Sequence, residues 1–404
     1  MIKRALIAVT AAFVAAVAVF ATRGDAPAAT PVERPVLTGS AADIPVLQRA
    51  VDAGQDDYRP ALAQAYLQRS RETEDPADYD RASKALGRPR TPDAFATAAQ
   101  IAAARHEFPR ALRLAARAGN VGDPIRVDSL VELGRLDEAE RVLQAMIDRR
   151  PNLAGYARAS YVRELRGDLD GATEAMRLAV AAGGPTAENS AYVSILLGEL
   201  ERRRGRPVTA RRAYKRAQAL VPNHPEVEMG LARVEADGAL EDAIARLERL
   251  VARIPDTDHL VALGEAQLAA GKPAQRTFER VARKASVLGK VNVDTAQEFA
   301  VVEADHGDPQ KGVKLARFAY AEAPSARSAD ALGWALTRAG KPNEGLRYAR
   351  IALRDGAVDP LWLAHAGLTE IAAGGDGRRE LRRALAHGLD GYPWQAQRVR
   401  RALA

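Results

Sequence analysis

The chain has 404 residues, of which 27 % are charged and 47 % apolar, so its composition is that of a folding chain and not of a disordered one. Alanine is the most frequent residue and aromatic residues make up only 5 %, which favours close-packed helices over a β-sandwich or a β-barrel. The formal net charge is +7 and cysteine is absent, which excludes disulfides, cysteine nucleophiles, cysteine-ligated zinc, iron–sulfur clusters and a lipid-modified cysteine anchor.

The chain begins with an apolar segment that follows two basic residues. Lys3 and Arg4 precede residues 5–21, which carry no charge, and a small-residue stretch around Ala26 to Ala29 follows. This order is typical of a secretory signal, with cleavage after Ala21 or after Ala28. Seventeen helical residues span about 25 Å, so an uncleaved membrane anchor is the alternative. We therefore expect residues 1–28 to be a signal peptide or an anchor, with the body exported.

A proline-containing stretch separates this segment from the rest of the chain. Residues 29–43 hold Pro31 and Pro35 among threonine, serine and glycine, which predicts a flexible linker. Beyond residue 44 the sequence repeats a helix-hairpin pattern. Glycine, three small or apolar residues and proline follow one another at intervals of 5, 4, 3 and 5 residues, as in Gly205, Ala210, Tyr214, Ala217 and Pro222, and again from Gly134, Gly238 and Gly307.

The spacing has a direct physical meaning. Glycine allows a tight turn between two helices, small residues at intervals of four and three line one helix face, and proline ends the second helix. The first three intervals recur from Gly167 and Gly340, and also from His106, which takes the place of the turn glycine. Leu-Gly pairs lie seven residues before several of the turn glycines, at Leu197-Gly198, Leu263-Gly264 and Leu332-Gly333.

These residues resemble the tetratricopeptide repeat (TPR), a helix–turn–helix unit of about 34 residues. The resemblance covers roughly 360 residues and implies an all-α, right-handed α-solenoid of about ten units over residues 44–391, followed by a lone capping helix over residues 392–404. The tryptophan that the family places before the Leu-Gly pair is missing. The polar stretch from Arg69 to Asp80 predicts a longer connection inside the first unit.

Nothing in the sequence predicts catalysis. No two of the six histidines lie within a helical turn of each other, and there is no phosphate-binding loop or nucleophile elbow. The most site-like cluster, Asp305-His306-Gly307-Asp308, falls on a repeat turn, where such residues cap helices. We expect no catalytic residue, no metal ligand and no cofactor, although a hydrolase or metal protein that uses these turn residues stays the second rival.

Basic residues are concentrated in two stretches. Residues 201–216 carry eight basic side chains against Glu201 alone, and residues 376–404 carry seven arginines. Such stretches attract anionic partners; nucleic acid is one of them, and an envelope polymer or lipid fits an exported protein better. The alternative is that these cations are only solvated or complement helix ends.

The resemblance also implies a binding surface. In this family the first helix of each pair lines a concave groove, and the residue after the Leu-Gly pair and those three and four positions later point inward. The candidate partner-binding residues are Tyr161, Glu199, Arg202, Arg203, Trp334 and Arg338. We therefore predict a non-enzymatic scaffold outside the cytoplasmic membrane that binds a peptide or protein in this groove. The first rival is an envelope assembly factor that binds an anionic polymer or lipid.

Overall fold

The computed structural model describes residues 41–404 except 74, 76, 185–186 and 288–292. The described part of the chain is helical and contains no strand, so the predicted all-α repeat fold is confirmed. It divides into two compact units, one that ends at Arg158 and one that comprises Ala159–Ala404. The expected signal or anchor over residues 1–28 and the linker up to residue 40 lie outside the described residues. Within those residues, no helix has the length and apolar character needed to cross a bilayer.

The first unit contains seven complete helices. Short 3₁₀ turns at Ala41–Asp43, Asp56–Tyr58 and Gly119–Gly122 precede or join them. The helices are α1 (Ile44–Asp52), α2 (Arg59–Thr73), α3 (Ala77–Leu86), α4 (Pro92–Ala104), α5 (Phe108–Arg117), α6 (Asp123–Glu132) and α7 (Leu136–Arg149). Helix α8 (Leu153–Leu165) crosses the boundary between the two units.

The second unit continues the succession of helix pairs. Its helices are α9 (Leu169–Ala182), α10 (Ala187–Arg203), α11 (Pro207–Leu220), α12 (Pro225–Ala236), α13 (Leu240–Arg253), α14 (Thr257–Ala269), α15 (Gln275–Val287), α16 (Val293–His306), α17 (Pro309–Glu322), α18 (Ala326–Arg338), α19 (Pro342–Leu353), α20 (Pro360–Ala372) and α21 (Arg378–Ala386). A 3₁₀ turn (Leu389–Gly391) and α22 (Pro393–Leu403) end the chain.

Glycines within helices, among them two of the Leu-Gly glycines, allow neighbouring helices to pack closely. A Cβ placed on Gly198 in α10 would lie 2.7 Å from the ring of Tyr214 in α11, and one on Gly230 in α12 would lie 2.4 Å from the same ring. Tyr214 is therefore held between two glycines and is fully buried. Gly264 provides the same space for the ring of Phe278. Glycine in mid-helix costs about 1 kcal/mol relative to alanine, and here that cost is offset by burial of a large aromatic side chain.

The predicted turns adopt the backbone conformation that the spacing implied. Most of the turn glycines have a positive φ, and His106, which replaces a glycine, has a φ of 61°. At Gly167 (φ 80°) a second restriction applies, because a Cβ would lie 2.1 Å from the carbonyl oxygen of Gly356. The turn between α8 and α9 thus lies against the connection between α19 and α20, and Arg166 and Asp355 approach to 3.7 Å beside it. The second unit closes on itself at this contact.

Three details differ from the sequence-based expectations. Helix α2 continues to Thr73 and α3 begins at Ala77, so the connection predicted from Arg69 to Asp80 is short. Arg69 instead forms an ion pair at 2.5 Å with the buried Asp78. The last linker residues, Ala41–Asp43, form a helical turn ahead of α1. The final helix forms within the predicted residues, but it packs on α14 and α20 as well as on α21, so it is more than a cap on the last pair.

Candidate functional site

The first helices of the pairs in the second unit carry a surface that we call the inner face. It is formed by Glu199 and Arg202 of α10, Arg233 of α12, Glu265 of α14, Asp305 and His306 of α16, and Trp334 of α18. We call residues 387–404 the C-terminal segment. This segment folds back onto the inner face, and its contacts there join residues 90 to 186 positions apart.

One end of the inner face is cationic. Arg202 is paired with Glu199 at 2.5 Å and donates a hydrogen bond of 2.5 Å to the carbonyl oxygen of Gly388. The guanidinium groups of Arg202 and Arg233 lie 5.4 and 5.3 Å from the ring centre of Tyr392, within the range of cation–π attraction. Burial opposes the charge on Glu199, but the neighbouring Arg202 and Arg233 outweigh it and lower the pKa of this carboxyl. The ionised carboxylate of Glu199 therefore balances part of the positive charge of Arg202 and Arg233 at this end.

The other end is acidic. The carboxylate of Asp305 accepts hydrogen bonds from Gln395 (3.1 Å) and Arg398 (2.9 Å) of the C-terminal segment, and Gln395 also donates to Glu265 at 3.3 Å. Burial opposes the charge on Asp305, yet Arg398 contributes most to a net lowering of its pKa. The inner face therefore presents an ionised, buried carboxylate whose hydrogen-bond donors come from the end of the chain.

Aromatic rings lie between and beside the two ends. The ring of His306 is stacked on Phe278 at 4.1 Å and contacts Trp394 at 4.7 Å. Trp334 is stacked on His365 at 4.4 Å with an interplanar angle of 9°. The guanidinium of Arg398 lies 4.5 Å from the ring centre of Trp394 and 5.0 Å from that of Trp334. The arrangement can recognise aromatic and cationic side chains on a helix.

The structure brings most of the predicted groove residues onto first helices but buries four of the six. Glu199, Arg202, Arg203 and Trp334 are at most 6 % exposed. Arg203 donates to Glu164 at 2.5 Å, beneath the inner face. Tyr161, on α8, is half-buried. Only Arg338 is exposed, and it donates to the carbonyl oxygen of Ala304 at 3.1 Å. Their role in binding a partner stays a prediction.

Several inner-face residues were not among the candidates. Glu265 directly follows Leu263-Gly264, so the rule that selected Glu199 also selects it. Asp305 and His306 were treated as turn residues, yet only Asp308 caps a helix there, by accepting from the backbone N–H of Gln310 at 2.9 Å. No signal in the sequence marks Arg233. Among the described residues, no group of three or more histidine, aspartate or glutamate side chains is placed to hold a metal ion.

The predicted basic stretch at residues 201–216 separates into two groups. Arg202, Arg203 and Arg204 are buried or nearly so and are paired with Glu199, Glu164 and Asp170, respectively. Five basic side chains remain exposed: Arg206, which directly precedes α11 and lies 3.8 Å from Glu201, and Arg211, Arg212, Lys215 and Arg216 of α11. The stretch is thus a basic surface only along α11.

Comparison with known proteins finds similarity in fold. No family model matches the sequence, and no curated protein matches it. Among solved structures, the chain is similar to a tetratricopeptide repeat protein from Parabacteroides merdae (15 % identity, 65 % of this chain and 97 % of that one, TM-score 0.34). It is also similar to the human IFIT1 dimer with PPP-AAAA (15 % identity, 85 % and 86 %, TM-score 0.47) and to Cut9 in the Cut9–Hcn1 hetero-tetramer of the APC/C (14 % identity, 89 % and 92 %, TM-score 0.34). With its own phased helix pairs and turn glycines, the chain is a TPR-like helical repeat protein.

Proposed function

We propose that this protein is a non-enzymatic interaction scaffold that holds a peptide or protein segment on its inner face. One observation carries the proposal: a segment of polypeptide, the chain's own C-terminal segment, already lies on this face through side-chain and backbone hydrogen bonds and aromatic contacts. Tyrosine, tryptophan and arginine dominate these contacts, and they are the residues that most often carry binding energy at interfaces. The helical-repeat fold itself suggests a scaffold for protein interactions.

We place this activity outside the cytoplasmic membrane. The support is the amino-terminal sequence, in which Lys3 and Arg4 precede the uncharged residues 5–21. In either form of export, cleaved or anchored, the basic residues stay inside and the body is translocated. Fusion of residues 1–43 to a reporter that is active only after export tests this part. Reporter activity that Lys3→Glu with Arg4→Glu abolishes supports it, and an inactive reporter contradicts it.

A position-specific crosslink tests the inner face. A photoreactive amino acid replaces the exposed Arg338 at the edge of this face in the full chain, and a matched variant carries it at Arg211 on α11. We expect one dominant protein to crosslink from position 338, to do so also when the sample is irradiated in high salt, and not to crosslink from position 211. Crosslinks from position 211 alone, or none from position 338 beyond the chain itself, would contradict the proposal.

The basic surface of α11 supports a second candidate function, which is binding of an anionic polymer or lipid. Within the described part of the chain, none of its four cations forms an ion pair, so all four are available to phosphate groups. The test compares flotation of two full-length variants with vesicles of phosphatidylglycerol. Arg211→Gln with Arg212→Gln should weaken binding, and Arg347→Gln with Arg350→Gln, which removes two exposed cations from α19, should not. Equal effects, or binding unchanged by salt, would contradict this function.

A further inference from the structure

The inner face has a built-in occupant, and the chemistry of that occupant defines what else fits there. We propose that the inner face recognises a short helix-forming segment of another protein with an aromatic residue, proline, a second aromatic residue and glutamine in succession, and arginine one helical turn later. The model for this segment is Tyr392-Pro393-Trp394-Gln395 with Arg398. The C-terminal segment occupies the site until such a partner displaces it. This inference rests on the function proposed for the inner face.

The entry of the segment onto the inner face requires glycine. Gly388 has a φ of 83°, and a Cβ on it would lie 3.0 Å from Nη1 of Arg202. A Cβ on Gly391 would lie 2.6 Å from the same atom. Because neither residue has a Cβ, the backbone comes close enough for Arg202 to donate to the carbonyl oxygen of Gly388. The turn therefore directs the segment away from the end of α21 and onto the helices that carry the inner face.

Along the segment, successive side chains contact successive parts of the inner face. Tyr392 places its ring against the two guanidinium groups of the cationic end, where burial raises its pKa and keeps it neutral. Trp394 and Arg398 are four residues apart and so share one face of α22. That face meets the aromatic rings and Asp305, while Gln395 reaches Glu265 and Asp305. A partner with the opposite order would place its cation against Arg202 and Arg233.

The inner face favours an occupant with particular hydrogen-bond donors. With the segment in place, the side chains of Asp305 and Glu265 are 2 % and 8 % exposed, and Gln395 donates to both. Within the array itself, Nε of Arg338 lies 3.5 Å from Asp305 and Nε2 of His306 lies 3.2 Å from Glu265, so each carboxylate keeps a polar partner when the segment leaves. An occupant that covered these carboxylates without donating to them would leave buried acceptors without the donors that the segment supplies, which is unfavourable. A partner that supplies an amide or a guanidinium to these carboxylates and an aromatic ring to the arginines is therefore favoured.

The segment depends on the surface that it covers. Helix α22 has 11 residues, which is short for a helix that is stable alone in water, so it depends on the surface that it covers. It buries the apolar side chains of Ala396 and Val399, as the helices of the array do, and adds to them the hydrogen bonds of Gln395 and Arg398 and the ring contact of Trp394. A cavity of about 30 Å³ remains between Tyr392 and Pro393 and the apolar side chains of α12, α13 and α14. Packing at this junction is below that of a protein core.

The test uses the full chain and a labelled peptide of residues 387–404. In one variant, Trp394→Ala with Arg398→Ala weakens the chain's own segment. We expect this variant to bind the wild-type peptide at least tenfold more tightly than the unmodified chain does, because an occupied site lowers the apparent affinity by its free fraction. A peptide that carries the same two substitutions should not bind. Adding Asp305→Asn to the variant should remove peptide binding, and adding Arg211→Gln should not.

Three outcomes would overturn the inference. The first is a variant that keeps its helicity but binds no peptide. The second comes from hydrogen exchange on the unmodified chain, which applies even if the variant fails to fold: amides of α22 that exchange as slowly as those of α20 would show that the segment is a fixed part of the array. We expect faster exchange in α22. The third is a partner that crosslinks from position 338 without competition from the peptide, which would overturn this inference and leave the proposed function standing. Absence of any crosslinked partner would instead overturn the proposed function, and this inference with it.

Discussion

Substitution of Gly167 by alanine tests whether the second unit closes on itself, and Gly340 offers a matched control. Both glycines occupy hairpin turns and both have a φ of 80°. They differ in what surrounds them. A Cβ at Gly340 meets nothing within 4 Å, while a Cβ at Gly167 would lie 2.1 Å from the carbonyl oxygen of Gly356 and 3.0 Å from its carbonyl carbon. The comparison therefore separates the cost of a positive φ from the cost of the contact between the two turns.

The expected magnitudes follow from these distances. Alanine at a left-handed position costs about 1–2 kcal/mol, and this cost applies equally to Gly340→Ala and Gly167→Ala. Only Gly167→Ala also forces two backbone segments apart, since neither the Cβ nor the carbonyl of Gly356 can rotate away. Overpacking of this kind costs about 1–3 kcal/mol more. For a unit of this size, each kcal/mol corresponds to roughly 2–4 °C in the melting temperature.

Thermal unfolding of the two variants beside the unmodified chain measures the difference, and hydrogen exchange of residues 354–358 locates it. We expect Gly167→Ala to melt below Gly340→Ala and to raise exchange in the connection between α19 and α20. Gly356→Ala should resemble Gly167→Ala, because its Cβ would lie 2.7 Å from the carbonyl oxygen of Arg166. Equal melting temperatures for Gly167→Ala and Gly340→Ala, with unchanged exchange, would refute the closure.

Two further predictions concern the buried groove residues. Arg203→Met should cost about 3–5 kcal/mol, because it leaves the buried carboxylate of Glu164 without its partner, and adding Glu164→Leu should recover much of the loss. Denaturant unfolding measures both, and a single variant no less stable than the double one would show that the pair is not coupled. Trp334→Ala should cost about 3–5 kcal/mol, while Arg338→Ala, whose side chain is 39 % exposed, should cost under 1 kcal/mol. Equal losses from these two variants would contradict the difference in burial.

Most of the fold could be predicted because it is local. A helix hairpin is specified within about 34 residues by a turn glycine, small residues at intervals of four and three, and a terminating proline. The spacing from Gly205 to Pro222 therefore marks α11 correctly, and the His106 turn was found because it kept the intervals without a glycine. The connection predicted from Arg69 to Asp80 was wrong, since Arg69 is polar for another reason: it pairs with Asp78.

The charges were harder to interpret because pairing depends on residues far along the chain. Arg202, Arg203 and Arg204 read as one basic run, and a run of like charges is normally solvated. In the structure Arg203 meets Glu164, which lies 39 positions earlier, and Arg204 meets Asp170, 34 positions earlier. Both separations along the sequence are close to the length of one repeat. Correct interpretation of a basic residue in such an array thus requires the acidic residues one unit before it.

The C-terminal segment lay beyond sequence reasoning for a different reason. Its position depends on the small rotation from each helix pair to the next, summed over the pairs from α8 to α21, and no local pattern encodes that sum. Its chemistry, however, is visible in the sequence: Tyr392, Trp394 and Arg398 are three residues of the types that anchor interfaces, and they lie within seven positions. This composition supports the recognition role proposed for the segment. In helical-repeat chains, a terminal helix with such anchors should therefore be tested against the inner face of its own array before any outside partner is sought.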